Sequence, residues 1–180
     1  MFKERSRRFQ ELSVTDGLTG LYNKRYIMSK LDSEVRHARG LDRALALLIL
    51  DVDNFKHYND THGHPEGDEV LKRLAEVIRI CVRETDSPCR YGGEEFLVIL
   101  PETEAREAWT VAERIRCEMA GQTFRPGERA EVSVTLSIGL ARLEPDEEAA
   151  DLIRRADEAL YRAKRDGKNR TVAAESRETA

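Results

Sequence analysis

The stretch CRYGGEEFLVIL (89–100) decides how the chain is read. Gly92-Gly93 parts two segments that look like strand: Cys89-Arg90 before it and the apolar run Leu97 to Leu100 after it. A glycine pair between short strands marks a tight hairpin turn, because glycine takes positive φ at no steric cost. Glu94 and Glu95 follow at once, and adjacent carboxylates repel unless a cation is near. They are either solvated loop charges or metal ligands, and the rest of the chain has to decide.

Working outward, ALALLILDVD (44–53) is a buried strand ending in carboxylates. NFKHYNDTHGHPEGD (54–68) reads as a polar connector, and Val70, Leu71, Leu74, Val77, Ile78, Cys81 and Val82 recur at helical spacing. A helix from about Glu104 carries Ala108, Val111, Ala112, Ile115 and Met119 on one face. EVSVTLSIGLA (131–141) alternates and is β-branched, hence a strand. A last helix buries Leu152, Ile153, Ala156, Ala159 and Leu160. With the helix over 24–39, the order is α-β-α-β-β-α-β-α. It predicts an α+β fold, a mixed or antiparallel sheet flanked by helices. Residues 1–14 read as the tail of an upstream helix or a frayed terminus, 15–172 as one domain, and 173–180 as a frayed tail.

The 180 residues suit one domain, and 36% charged residues suit a soluble surface. A net charge of -4 gives no general attraction to nucleic-acid polymers or membranes. No run approaches membrane-spanning length and no secretory signal is visible. Cys81, Cys89 and Cys117 read as reduced thiols of a cytoplasmic protein rather than a disulfide.

Asp51 and Asp53 alternate with Val52 at a strand end, so both can point one way. They are either metal-directed or a solvated terminus. An EF-hand fails, because Phe55 stands where an oxygen ligand belongs and Lys56 where the loop glycine belongs. His57, His62 and His64 read as polar loop histidines, and no P-loop or nucleophile elbow occurs. If the hairpin flanks the first strand, two acidic clusters share one sheet edge, with Lys56, Lys164 and Lys168 in reach. Carboxylates for metal and lysines for phosphate make a nucleotide site.

These residues resemble the GGDEF-domain diguanylate cyclases. RYGGEEF matches the signature, DGLTGLYNKR (16–25) the opening motif, and DVDNFKHYNDTHGHPEGDEVL (51–71) the long central motif. VTLSIGLA and RADEALYRAKRDGKNR resemble the closing strand and helix, so the likeness runs from about Thr15 to Val172. The resemblance implies a fold similar to nucleotidyl cyclases and polymerase palms. It implies that two GTP, one on each subunit of a homodimer, give cyclic di-GMP and two pyrophosphates.

The implied roles follow the motifs. Asp51, the Val52 carbonyl and Glu94 would hold Mg²⁺ or Mn²⁺, two ions per site. Glu94, Glu95 and Lys56 would serve catalysis, with Glu95 metal-related or structural. Asn59 and Asp68 would meet guanine, while Phe55, Lys56, Lys164 and Lys168 would meet phosphates. Gly92 and Gly93 would let the turn approach the nucleotide, and Asp53 would be structural. Arg83 and Asp86, in RETD, match a product-inhibition site with Arg114, although Thr110 stands where some relatives have arginine. An upstream sensory domain is implied as partner. The alternatives are a silent GTP or cyclic di-GMP receptor and a cyclase of altered base preference.

Overall fold

The computed structural model describes residues 14–128 and 130–176. The helix tail expected over 1–14 lies outside them, apart from Val14. The elements are β1 (Tyr22–Asn23), α1 (Lys24–Gly40), β2 (Leu45–Val52), α2 (Phe55–His62), α3 (His64–Cys81), β3 (Ser87–Arg90), β4 (Glu95–Pro101), α4 (Ala105–Ala120), β5 (Leu136–Arg142), α5 (Ala149–Arg165) and β6 (Arg170–Ala173). The sheet order is β1-β3-β4-β2-β5-β6. β2 is antiparallel to β4 and to β5, and β3 to β4, while β1–β3 and β5–β6 are parallel. The expected α+β class, with a mixed sheet flanked by helices, is what forms.

Strand alternation divides the core in two. Ala46, Leu48, Leu50, Phe96, Val98, Ile138 and Leu140 face α3 and α4. Leu45, Leu47, Ile49, Leu97 and Ile99 face α1 and α5. All eight residues of β2 are buried, because helices cover both of its faces. The odd-numbered positions of β2 and β5 therefore look toward α5. Among them are Asp51, Ser137 and Gly139.

The hairpin needs a correction. Among the described residues the glycines with positive φ are Gly20, Gly63, Gly127 and Gly167; Gly92 and Gly93 are not among them. The turn is a four-residue loop, closed by Tyr91 N (2.8 Å) and Gly92 N (3.1 Å) donating to the Glu95 carbonyl. A longer loop turns the chain without left-handed residues. Gly92 lies close under the Glu95 carboxylate instead: a Cβ there would be 3.0 Å from Glu95 Oε2, the movable end of that side chain.

The connector at 54–68 is also corrected. It forms all of α2 and the start of α3, with Gly63 (φ 93) as the break and Pro65 in the first turn of α3. α2 buries only Phe55 and Tyr58, too few apolar positions to show a periodicity. β1 and β6 were not expected either. β6 runs to Ala173; beyond it Ala174 N donates to Leu140 O (2.7 Å) and the Glu175 carbonyl accepts from Arg155 (3.0 Å). The chain expected to fray from 173 is thus held as far as 175, its polar side chains outside and its backbone paired. No helix among the described residues is long and apolar enough to cross a membrane.

Candidate active site

β2 delivers Asp51 to one end of the sheet, where Asp51 pairs in register with Glu95 of β4. One step on, Val52 N donates to the Glu94 carbonyl at 3.3 Å. The hairpin does flank β2, and it sets two glutamates beside one aspartate. Asp51 is buried, and its Oδ2 lies 3.0 Å from Lys164 Nζ in the last turn of α5. Burial pushes the Asp51 carboxyl up to about 6. Lys164 pulls the other way, and the charges of Glu94 and Glu95 add to the rise. One lysine does not balance three carboxylates, so this corner favours a further cation.

Among the described residues no three His, Cys, Asp or Glu side chains gather as a metal cluster. The oxygen donors that meet at this corner are the carboxylates of Asp51, Glu94 and Glu95. Hard oxygen donors few in number, with local negative charge in excess, fit Mg²⁺, which keeps waters and substrate phosphates in its shell.

The turn itself is anchored from behind. Arg90 donates to the Gly93 carbonyl from Nη2 (2.9 Å) and Nε (3.2 Å), and reaches Asp16 at 3.3 Å. Burial opposes the charge of Asp16, but the Thr19 N–H and hydroxyl and Arg90 outweigh it and hold the carboxyl below its usual value. The loop over 16–20 and the GGEEF turn are thereby joined through one guanidinium.

α2 begins right after β2. Its N-cap residue Asn54 is left-handed (φ 56), and no side chain caps the helix. Uncapped first-turn N–H groups make an anion site. Phe55 is buried there and Lys56 is exposed. Lys168 comes to the same place, donating from Nζ to Asn54 Oδ1. Asn59, on α2, packs against Gly67 of α3, where a Cβ would fall 1.7 Å from Asn59 Oδ1. That buried oxygen has no hydrogen-bond partner. Asp68 is exposed beside Gly67. Asp53 is engaged elsewhere, accepting from Thr135, Ser137 and Asn169.

Arg83, Asp86 and Arg114 form a second cluster near the other end of the sheet. Arg83 borders a recess that also includes Leu45 and Pro101, which pair at the far end of β2 from Asp51. Asp86 Oδ2 accepts from Arg83 N (2.7 Å), while its buried Oδ1 has no hydrogen-bond partner. Burial raises the Asp86 carboxyl, against the charges of Arg83 and Arg114. Arg114 donates to the Cys81 carbonyl at the end of α3. Thr110 is occupied within α4, its hydroxyl donating to Arg106 O (3.2 Å).

Sequence reasoning missed the tie between Asp16 and Arg90 and the three partners of Asp53. Neither shows as a spacing, because each joins residues brought together only by the sheet.

The family model described as the diguanylate cyclase GGDEF domain matches residues 13–170. The response regulator PleD of Caulobacter vibrioides is 45% identical over 164 residues, covering 90% of this chain and 36% of that protein. The chain thus spans about a third of that relative's length. The GGDEF domain of DgcB from Caulobacter crescentus, solved in complex with c-di-GMP, superposes with a TM-score of 0.88 at 38% identity, covering 91% of this chain and 97% of that one. The active GGEEF domain of a diguanylate cyclase from Vibrio cholerae gives a TM-score of 0.81 at 35% identity, covering 86% and 97%. With its matching motifs set around one sheet end, this chain belongs to the GGDEF-domain diguanylate cyclase family.

Proposed function

We propose that this chain catalyses the condensation of two GTP into cyclic di-GMP and two pyrophosphates, between two copies that each hold one GTP. The observation that carries the reading is the carboxylate corner of Asp51, Glu94 and Glu95 beside Lys164 and the uncapped start of α2. The solved GGEEF domain called active shows that a glutamate in the third motif position is compatible with activity in that relative.

Asn59 and Asp68 orient guanine, and a carboxylate suits its N1–H and N2–H₂ donors. The first-turn N–H groups at Phe55 and Lys56, with the ammoniums of Lys56, Lys164 and Lys168, hold the triphosphate. Asp51, the Val52 carbonyl and Glu94 would hold Mg²⁺ or Mn²⁺, which would supply charge neutralisation for the triphosphate and its transition state. The proton of the attacking 3′-hydroxyl passes to a carboxylate of this corner, where Glu94 and Glu95 serve catalysis. The oxygen so freed bonds to the α-phosphorus of the other nucleotide, and the bond to the leaving pyrophosphate breaks.

Arg83, Asp86 and Arg114 form a product-inhibition site, in which arginine forks suit guanine N7 and O6. The unpartnered Asp86 oxygen supports this reading. Arg83→Ala should weaken inhibition by cyclic di-GMP at least tenfold, the loss of roughly one bidentate contact; unchanged inhibition would remove that site from the proposal. GTP as substrate and three free thiols favour the cytoplasm. A separate dimerising domain, for which relatives such as PleD have the length, would bring two copies together.

The test is incubation of the purified domain with GTP and Mg²⁺ at several protein concentrations, with products separated by chromatography. Cyclic di-GMP formed at a specific rate that rises with protein concentration, and lost in Glu94→Gln, is the expected result. GTP binding without product, even after fusion of a dimerising coiled coil ahead of Met1, would overturn the reading.

A further inference from the structure

Asp53 has no part in the chemistry above, yet it is among the most fully engaged side chains near the site. It is 7% exposed. Its Oδ1 accepts from Ser137 Oγ at 2.6 Å, and its Oδ2 accepts from Thr135 Oγ1 at 2.7 Å and from the backbone N–H of Asn169 at 3.0 Å. Ser137 is itself fully buried. A carboxylate with both oxygens committed in this way has little left to offer a cation, although it lies only two residues from Asp51.

What Asp53 holds is the turn that follows α5. Gly167, Lys168 and Asn169 have φ of 117, 63 and 44 in succession. Consecutive left-handed residues other than glycine persist only where their surroundings over-determine them. Here the surroundings come from two sides. From the turn just after β2, Asp53 takes the Asn169 N–H. From α4, Arg116 Nη1 donates to Asn169 Oδ1 at 2.8 Å. Arg116 is itself fixed by two 2.8 Å bonds to Glu113, and Glu113 also accepts from Thr171 Oγ1 at 2.7 Å. Within the turn, Lys168 N donates to Ala163 O at 3.0 Å.

The consequence is where Lys168 points. With its backbone clamped next to Asn169, its ammonium reaches Asn54 Oδ1, at the uncapped start of α2. Asn54 is left-handed too, and it directly follows Asp53. One buried carboxylate thus lies at the junction of the strand end, the start of α2 and the turn that carries Lys168.

We propose that Asp53 is a positioning residue, which places the Lys168 ammonium for the nucleotide phosphates by holding the Asn169 N–H. The proposal rests on the GTP-site reading given above.

A double-mutant cycle tests it, because two residues that act through one contact have non-additive effects. The measurement is calorimetric affinity for a non-hydrolysable GTP analogue with Mg²⁺. Lys168→Ala in the wild-type background should weaken binding about tenfold, the loss of one charge-assisted hydrogen bond. Asp53→Ala should weaken it to a similar degree, and Lys168→Ala added to Asp53→Ala should change it by less than about twofold. Asp53→Asn keeps an acceptor for the Asn169 N–H and should recover most of the affinity. If Asp53→Ala does not fold by circular dichroism, Asp53→Ser replaces it in the cycle, since one short hydroxyl cannot keep the bonds to Ser137, Thr135 and Asn169 together.

A Lys168→Ala penalty of the same size in both backgrounds overturns the proposal, because Asp53 would then act only through general stability. No Lys168→Ala penalty in the wild-type background also overturns it, by removing the phosphate contact itself. In that case GTP binding by the wild-type protein would still stand, so this failure is distinct from failure of the GTP site.

Discussion

Replacing Gly139 with alanine should destabilise the domain by about 3 kcal/mol, the upper end of the usual cost of overpacking. Gly139 lies in β5 on the face covered by α5. A Cβ built there would lie 2.0 Å from the Ala156 carbonyl oxygen, 2.4 Å from Leu160 N and 2.9 Å from Leu160 Cβ. The first two are helix backbone, so no rotamer change can relieve them. Ordinary contact begins near 3.4 Å, so α5 would have to retreat by about 1.4 Å. Leu152, Ala156, Ala159 and Leu160 are all buried between α5 and the sheet. A gap of about 0.5–1 Å already forfeits a quarter to a half of the dispersion well for each atom pair. In a chain of this size the loss corresponds to a fall in Tm of roughly 6–12 °C. Lys164 rides on the same helix, so its 3.0 Å bond to Asp51 would be disturbed and GTP affinity should fall as well. Urea unfolding gives the magnitude, provided the m value is unchanged. Gly40→Ala is the control, since a Cβ there meets nothing within 4 Å. If Gly139→Ala lies within about 0.5 kcal/mol of wild type, the size of an ordinary surface substitution, α5 does not pack this closely and the argument fails.

Three other outcomes follow from the same packing. Gly67→Ala should gain about 1 kcal/mol of helix propensity, yet it forces Asn59 away from a Cβ that would lie 1.7 Å from its Oδ1. GTP KM should therefore rise with Tm nearly unchanged, and an unaltered KM would separate Asn59 from guanine binding. Arg155 is 2.9 Å from both Glu144 and Glu147, and the Glu147 side chain is wholly buried. Arg155→Met should cost about 3–5 kcal/mol by stranding a buried carboxylate, and a loss below about 1 kcal/mol in urea would contradict this. Burial pushes the Cys89 thiol up to about 12, from an ordinary value of 9.0. Below pH 9 both folded and unfolded forms keep the proton. Between pH 9 and 12 the unfolded chain loses it and the folded one does not, so stability falls as pH rises. Cys89→Ala should remove that part of the alkaline slope, and an identical slope would refute it.

The elements legible in the sequence were those that bury a regular stripe. The apolar positions expected along α3 and α4 are buried as expected, except Val82, which is half-buried at the end of α3. The strand at 44–50 was plain because both of its faces are covered. α2 was not legible: it buries Phe55 and Tyr58 alone and depends on the break at Gly63. β1 is two residues long and β6 four, and each exists only because a longer strand offers it an edge. The turn at Gly92-Gly93 was found for a reason that did not hold. Its glycines could be read as punctuation, but loop length and the carboxylate of Glu95 over Gly92 are set by the folded hairpin.

For the site, the sequence could name carboxylates and lysines but could not say which balance which. Asp51 and Asp53 look equivalent in DVD, two acidic residues on one face of a strand. Their surroundings make them different. Asp51 is buried beside Glu94 and Glu95 with one ammonium for company, so its charge is under-compensated. Asp53 meets two hydroxyls and a backbone N–H, so its lone pairs are spent on holding β2, β5 and the turn after α5 together. Charged groups left under-satisfied by the protein are available to a ligand, whereas satisfied ones fix geometry. On that criterion the first aspartate is open to a ligand and the second belongs to the frame that supports it. The distinction comes from positions 135, 137, 164 and 169, more than 80 residues further along the chain, where no local motif could carry it.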